Sequence, residues 1–559
     1  MNFTAPGPGS WLHDVTHYPQ AVPRLHAKAI VDHFERGFAD AQPVHGSSLN
    51  ALAYREVNGF IYTQAHPVGA PLGAKPPPPP VMWLLLRLHP QIRQRAKISR
   101  ELLRTKAWRA DLARWDAEVK PRHVKRYLAL VDVDVKAATD EELATHLSEC
   151  HAELEKALYT HGRYTTPALF PIAHFAARVQ QWTGASIPEA LRDVHGQSAI
   201  SRGSIPELDA VVKAIRASAD AQRALAGTDA GEVLATLEGR TDAVGEAMRE
   251  LLRHVGYRLV SGYDLSQQFG RETPHVLVDS IRSALSKAAK SSKTNEPRKS
   301  ALRERVPAEH HAEFDELLEE ANVMNRLRDE RALYCDIWIS GILRRAVLEA
   351  GRRLVERGAL SKPSDLVEAT IAEMTALLRN DAKVPSADAL AERARVRAAL
   401  NEKEPPPFLG APPGPMPALS LYPEALRVVR RIEDVIVNGL YMDALPDEAA
   451  ADAVVIRGLG VSKGTYEGRA CVIRDAADLD RVAPGDVLVA TATSPAYSRA
   501  IAVVGAIVTD RGGALTHAAI MTRELGIPGV VGTREGTRKI ANGARVRVDG
   551  TSGEVTILS

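Results

Sequence analysis

The residues best suited to covalent chemistry lie together near the C-terminus, in Thr509-Asp510-Arg511-Gly512-Gly513-Ala514-Leu515-Thr516-His517. An imidazole is a nucleophile at neutral pH. The helix formers that follow, Ala518 to Leu525, place His517 in the first turn of a helix with Thr516 as its N-cap. That turn carries unpaired N–H groups and the positive end of the helix dipole, so it favours a negative group beside it. Gly512 and Gly513 let the backbone approach closely and turn their own N–H groups inward. Arg511 and Thr516 offer further donors to phosphoryl oxygens. The predicted chemistry is carriage of phosphate on His517.

The elements that must position this loop can be read around it. The apolar run Ala500 to Val508 predicts a buried strand feeding the glycine turn, while Gly526 and Pro528 stop the helix. Gly485-Asp486-Val487-Leu488-Val489 and the stretch Val546–Ile557 predict further strands, which makes the C-terminal region an α/β domain.

The segment Thr509–Pro528 closely resembles the phosphohistidine motif of the swivelling domain in phosphoenolpyruvate synthase, pyruvate phosphate dikinase and their relatives. Gly458-Leu459-Gly460-Val461-Ser462-Lys463-Gly464 and Gly468-Arg469-Ala470 resemble that domain's opening. The resemblance covers about the last hundred residues and implies that His517 becomes phosphorylated.

The whole chain bounds the reading. It has 559 residues, 45% of them hydrophobic, enough for sizeable cores. Lys plus Arg number 71 against 69 for Asp plus Glu, which argues against a general nucleic-acid or anionic-membrane surface. Cys150, Cys335 and Cys471 are far apart without metal-ligand spacing, so no metal site is expected and a reducing, cytoplasmic setting is. The start lacks a basic and apolar leader pattern, and Val81-Met82-Trp83-Leu84-Leu85-Leu86 is too short to span a bilayer.

In chain order, Ala27 to Ala39 has helical spacing. Leu52–Val57 and Phe60–Thr63 flank Asn58-Gly59 as a hairpin. Lys75 to Pro80 reads as a stiff polyproline linker. From Leu84 to Asn401 the pattern is almost wholly helical, with breaks near Gly162–Pro171, Gly184–Pro188, Gly203–Pro206, Ser261–Pro274 and Ser291–Pro297. Glu402–Met416 is a second proline-rich segment, Pro423–Val437 returns to helix, and Asp443–Asp452 loosens again. Fifteen residues at about 3.1 Å each reach roughly 45 Å, enough for a hinge that carries a small domain between two sites. A passive spacer has the same composition.

The expected architecture is therefore multidomain: a large, mostly α-helical domain plus a C-terminal α/β swivelling phosphohistidine domain. Residues 1–75 form a helix and hairpin segment packed with the central domain, 76–401 the helical acceptor domain, 402–453 the linker and hinge, and 454–559 the phosphohistidine domain.

Trp11-Leu12-His13-Asp14-Val15-Thr16-His17-Tyr18-Pro19 and the hairpin resemble rifampin-phosphotransferase-like proteins. His13, Asp14 and His17 read either as a packed loop or as a metal pair, the loop being favoured. His254–Arg258, Tyr263-Asp264, Arg271–Pro274, Arg326–Arg331 and Gly351–Leu360 resemble, more loosely, the helical domain of the rifampin-phosphotransferase and phenylphosphate-synthase group.

No phosphate-cradling glycine loop is found in residues 1–400, and no phosphoenolpyruvate-binding barrel is expected after the last strand. The donor is therefore expected on another chain, as in the two-component phenylphosphate and 4-methylphenyl-phosphate synthases. That resemblance implies an ATP-grasp partner subunit carrying ATP and Mg²⁺ (or Mn²⁺). It implies a phosphohistidine intermediate and a phenolic acceptor, with AMP and phosphate released overall. Candidate acceptor-site residues are Tyr164, Phe170 and Phe175 for an aromatic slot, and His254, Asp264, Arg271, Arg326, Asp329 and Arg331 to polarise or deprotonate the hydroxyl. The alternatives are another alcohol, such as an antibiotic, and a carrier relaying phosphate to a protein.

Overall fold

A computed structural model of the chain describes residues 2–15, 17–194, 205–260, 262–287, 301–381, 384–402, 405–412, 414, 417–440, 455–474, 476–493, 497–501 and 503–558. Two compact units divide it: residues 1–170, 262–267 and 331–434 form the first, and residues 171–261, 268–330 and 435–559 the second. The expected breaks and hinge at residues 291–297 and 443–452 lie outside the described residues.

In the first unit, strands β1 (Ser10–His13), β2 (Leu49–Val57), β3 (Phe60–Pro67) and β4 (Phe408–Gly410) form a sheet in the order β2-β3-β1-β4. Asn58 and Gly59 turn the β2–β3 hairpin with φ of 53° and 83°, the doubly left-handed pair that matches strand twist. Trp11, Phe60 and Tyr62 are buried on this sheet. β4 arises inside the second proline-rich segment, where Leu409 pairs with Trp11. That part of the segment is thus held as an edge strand and is not a free spacer. The first polyproline stretch also differs from its reading: helix Pro79–Leu88 starts within it, since proline at the first helical position needs no N–H partner.

The long helix Asp140–Thr183 runs unbroken through the expected break at Gly162–Pro171. An internal proline costs about 3 kcal/mol. Leu169, Phe170, Ile172 and Phe175 are all at most 3% exposed, and each contributes about 1.5–3 kcal/mol by burial, which outweighs it. Gly162 is a contact residue, not a breaker. A Cβ there would lie 2.3 Å from the Phe34 carbonyl oxygen, and one on Gly37 would lie 2.0 Å from that of Tyr159. We expect Gly162→Ala to destabilise the protein by about 1–3 kcal/mol through overpacking, read as a lower urea midpoint; an unchanged midpoint would show that the two backbones can separate freely.

Three π-helical turns, Ile30–Phe34, Trp115–Val119 and Leu333–Ile337, interrupt the helices of this unit. Such turns are rare and concentrate where a side chain must be re-aimed.

In the second unit, helices Pro206–Arg216, Ala230–Glu238, Ala243–Val255 and Pro274–Lys287 share an aliphatic core that includes Val211, Leu237, Leu252 and Ile281. Asp242 caps the third of them by accepting from the backbone N–H groups of Val244 and Gly245.

The C-terminal sheet is built from β5 (Val455–Arg457), β6 (Leu459–Ser462), β7 (Thr465–Ile473), β8 (Val487–Ala490), β9 (Ala506–Thr509), β10 (Gly529–Val531), β11 (Arg545–Asp549) and β12 (Glu554–Ile557), in the order β5-β12-β11-β7-β8-β9-β10-β6. β7 to β10 are parallel neighbours. Leu488 and Ile507 face one core, Val487, Val489 and Val508 the other. Burial on both faces explains the continuous apolar runs. Two strands are shorter than their patterns suggest. The Ala500–Val508 run divides into a short helix, Ser498–Ile501, and β9. The stretch Val546–Ile557 is the antiparallel pair β11–β12. Among the described residues no helix is long and apolar enough to cross a membrane.

Candidate active site

The site forms where the loops after β8 and β9 leave the C-terminal edge of the parallel strands, the usual place for ligands in such sheets. Backbone N–H groups of Asp510 and Arg511 donate to the carbonyls of Ala490 and Thr491 at 3.0 and 2.9 Å, joining the two loops. The buried Asp510 carboxylate fixes the base of the loop by accepting from the Thr537 N–H at 2.9 Å and the Thr533 hydroxyl at 3.2 Å.

Gly512 has φ of 125°, and a Cβ there would meet the Thr516 hydroxyl at 2.9 Å, so glycine is needed at this position. Thr516 precedes helix His517–Leu525, which ends at Gly526 in the left-handed conformation. The Thr516 hydroxyl donates to the Gly513 carbonyl at 2.8 Å and makes no side-chain cap. It braces the turn, and its proton is already committed there.

His517 Nδ1 lies 3.0 Å from Thr493 Oγ1. With the proton on Nδ1, that N–H donates to the hydroxyl and Nε2 carries the lone pair. Burial, with the Arg328 charge adding to it, pushes the imidazole pKa down to about 3. The ring is therefore neutral and nucleophilic at pH 7. Arg523, on the same helix, is buried and donates to the Ala514 carbonyl at 2.8 Å; burial and then Arg328 lower its pKa to about 9. One nucleophile thus stands in a strongly electropositive setting, which suits a phosphoryl group in transit.

The sequence reading does not reach Thr493, Arg328 or Arg523. Thr493 has a signal, because it follows the buried strand Val487–Ala490 at its C-terminal end. We expect Thr493→Val to slow phosphorylation of His517 by about 10–100-fold, the usual loss when the group orienting a histidine is removed. Single-turnover labelling measures it; an unchanged rate would show that the ring needs no anchor.

The other candidates divide between the two units. Tyr164 packs on Trp115 with centroids 5.3 Å apart, Phe170 on Trp108 at 6.2 Å, and Phe175 on Phe314 at 5.2 Å. The first two belong to the first unit and Phe175 to the second. His254 pairs with Glu250 and Glu207 at 3.0 and 3.6 Å. Arg271 makes a two-pronged pair with Glu238 at 3.0 and 2.6 Å, and Arg326 pairs with Glu330 at 3.1 Å. Asp329 is half-buried on helix His311–Ala332. Asp264 and Arg331 are buried in the first unit. His13 ends β1 with its Nε2 3.1 Å from the Tyr18 carbonyl, and Asp14, in the packed stretch that follows, pairs with His17 at 3.0 Å. Among the described residues no group of three or more His, Cys, Asp or Glu side chains is placed to hold a metal ion.

Residues 482–553 match the family described as PEP-utilising enzyme, mobile domain, and residues 173–350 match the rifampicin phosphotransferase fourth domain. Two stretches of the chain thus resemble domains found in PEP-utilising enzymes and in rifampicin phosphotransferase. An uncharacterized phosphotransferase, YvkC, of Bacillus subtilis is 28% identical over 56% of this chain and 36% of its own length. A rifampicin phosphotransferase of a Streptomyces species is 31% identical over 56% of this chain and 34% of its own. The phosphoenolpyruvate synthase of Pyrococcus furiosus is 47% identical over 22% of this chain and 16% of its own. The chain thus spans about a third or less of the length of these relatives.

Proposed function

We propose that His517 accepts a phosphoryl group and passes it to a phenolic hydroxyl, giving an aryl phosphate. The observation that carries this reading is the neutral His517 ring, held at Nδ1 by Thr493 and flanked by Arg328. In loading, the Nε2 lone pair attacks phosphorus and the bond to the donor's leaving group breaks. In discharge, the acceptor oxygen attacks in line, the P–N bond breaks, and Nε2 regains its lone pair while Nδ1 keeps its proton. The leaving group is then a neutral imidazole. The donor is ATP with Mg²⁺ or Mn²⁺ on an ATP-grasp partner subunit, with AMP and phosphate released overall, and the reaction is cytoplasmic.

The match of residues 173–350 to a rifampicin phosphotransferase domain favours a second reading, in which the acceptor is another alcohol such as an antibiotic. One experiment tests the core claim and a second separates the readings. Mixing the chain with an ATP-grasp partner and ATP labelled at the β-phosphate is expected to place acid-labile phosphate on His517. A panel of phenols and aliphatic alcohols then identifies the acceptor class. Absence of label on His517 would end the proposal.

A further inference from the structure

A second cluster of titratable groups lies wholly within the first unit, and the chemistry described above does not use it. It joins three chain segments through two imidazole–carboxylate pairs. His17 Nδ1 donates to Asp14 Oδ1 at 3.0 Å, and His161 Nδ1 donates to Asp336 Oδ2 at 2.5 Å across 175 residues of sequence. Asp14 and Asp336 are each 1% exposed, and Asp264, from a fourth segment, is 6% exposed. All three carboxylates act on the Tyr18 hydroxyl, whose pKa is raised well above its ordinary value by burial first and then by Asp336, Asp14 and Asp264. The carboxylates therefore converge on one place.

Two observations point from this cluster to a ligand. His26 is fully buried, its ring centroid is 6.4 Å from that of Tyr18, and among the described residues neither of its ring nitrogens has a hydrogen-bond partner. Its pKa is lowered by burial and pulled back by Asp264 and Asp336, so it faces the same carboxylates. A buried imidazole with both nitrogens unsatisfied is costly unless something else supplies the hydrogen bonds. Second, Asp336 lies in the π-helical turn Leu333–Ile337, and the turn Ile30–Phe34 directly follows the helix that bears His26. Aromatic rings pack around the cluster. Phe34 lies 5.1 Å from the His161 ring, and Tyr263 lies 6.1 Å from His17. His17 is 27% exposed, the group of this cluster with access to solvent.

We propose that this cluster binds the hydroxyl of a neutral aromatic alcohol, with His161 Nε2 taking its proton and His26 hydrogen-bonding the oxygen. The inference rests on the phosphotransfer reading, for which it names the acceptor site. The O–H bond breaks and an N–H bond forms at Nε2. The imidazolium is stabilised by Asp336 through Nδ1–H, and the electron pair stays on the oxygen as phenolate. Burial first, with smaller contributions from Arg331 and His17, holds the His161 pKa at about 4 against the pull of Asp336, so the ring is in its base form at pH 7. A carboxylate-paired histidine is an orienting device for such a transfer, and aromatic surroundings suit an aryl group.

The test uses the full chain with its nucleotide-binding partner and two variants. His161→Asn keeps a donor toward Asp336 and removes the base. It is expected to load phosphate on His517 within about twofold of the parent protein, and to discharge to phenol at least about 100-fold more slowly. Discharge to a nitrophenol, already ionised near neutral pH, is expected to fall far less. An equal loss for both acceptors, or no loss, would overturn the assignment of His161 as base. His26→Leu fills the site with an apolar group. It is expected to raise the melting temperature while weakening phenol binding to the full chain at least about tenfold by calorimetry. Unchanged phenol affinity would overturn the site, and this arm needs no phosphate. If His517 fails to load in the parent protein while phenol still binds and His26→Leu weakens it, the binding site stands and the phosphotransfer reading falls.

Discussion

Replacing His517 by asparagine is expected to abolish phosphate loading and product formation together, by about 10⁴-fold or more, with little change in folding stability. The size follows from the role. When a covalent intermediate is lost, no remaining group offers the same route, and activity falls toward the uncatalysed rate. Cys471, the cysteine of this domain, is no substitute nucleophile. It is 1% exposed, and burial, followed by the charge of Asp486, raises its thiol pKa, so it is a core residue of low reactivity. Asparagine also leaves a polar group facing Thr493, and the loop is independently braced by Asp510 and by the Thr516 hydroxyl. Structural loss should therefore stay within about 1 kcal/mol. Mass spectrometry for acid-labile phosphate and a phenol phosphorylation assay measure the two effects. Product formed by the variant at more than a few per cent of the parent rate would mean that phosphate reaches the acceptor without passing through this ring.

How far this site can be read in advance depends on how local its signals are. Gly512, Gly513, Thr516 and His517 fall within six residues, and the strand before them and Gly526 after them fix the turn and the helix from neighbouring side chains alone. The Asn58-Gly59 hairpin is legible for the same reason. Signals fail where tertiary burial overrides local preference. Gly162, Pro167 and Pro171 spell a break, yet the helix continues because its apolar face is fully covered. Gly162 is kept small by the backbone at Phe34, far earlier in the chain, which no local pattern records. The pairing of His161 with Asp336 is still more remote. Each residue alone looks like an ordinary polar position on a helix, and only folding shows that they form a hydrogen bond. Asp264 stands out in the sequence beside Tyr263, in a loop between helical stretches, while His26 and Asp336, which act on the same Tyr18 surroundings, carry no sequence signal. Arg328 lies inside a charged run whose members go different ways. Arg326 pairs along its own helix, and Arg331 is buried beside His161.

Arg328 is where the second large effect is expected. Its guanidinium acts on both His517 and Arg523, so it lies within electrostatic reach of the ring that would carry the phosphoryl group. A cation aimed at charge that develops during transfer contributes about 3–4 kcal/mol, and Arg328→Ala is therefore expected to slow transfer by about 10²–10³-fold. The same substitution tests the electrostatics through pH. In the parent protein the ring titrates at about 3, so loading should hold level as pH falls from about 8 to about 5 instead of declining near 6.5. Arg328 is the second cause of that depression and burial the first. Removing the arginine should move the acid limb upward without carrying it all the way to 6.5. The linked effect on stability has a definite sign. A folded pKa below the unfolded value means that the contribution of neutral His517 is complete above pH 6.5 and is lost as pH falls toward 3, and Arg328→Ala should make that loss smaller. Arg328→Lys restores charge without the planar two-pronged donor and should fall between the two. Rapid-quench measurement of His517 phosphorylation across the same pH range checks the parent protein and both variants. Superimposable profiles for the parent and Arg328→Ala proteins would show that burial alone tunes the ring, and an unchanged transfer rate would remove Arg328 from the phosphoryl path.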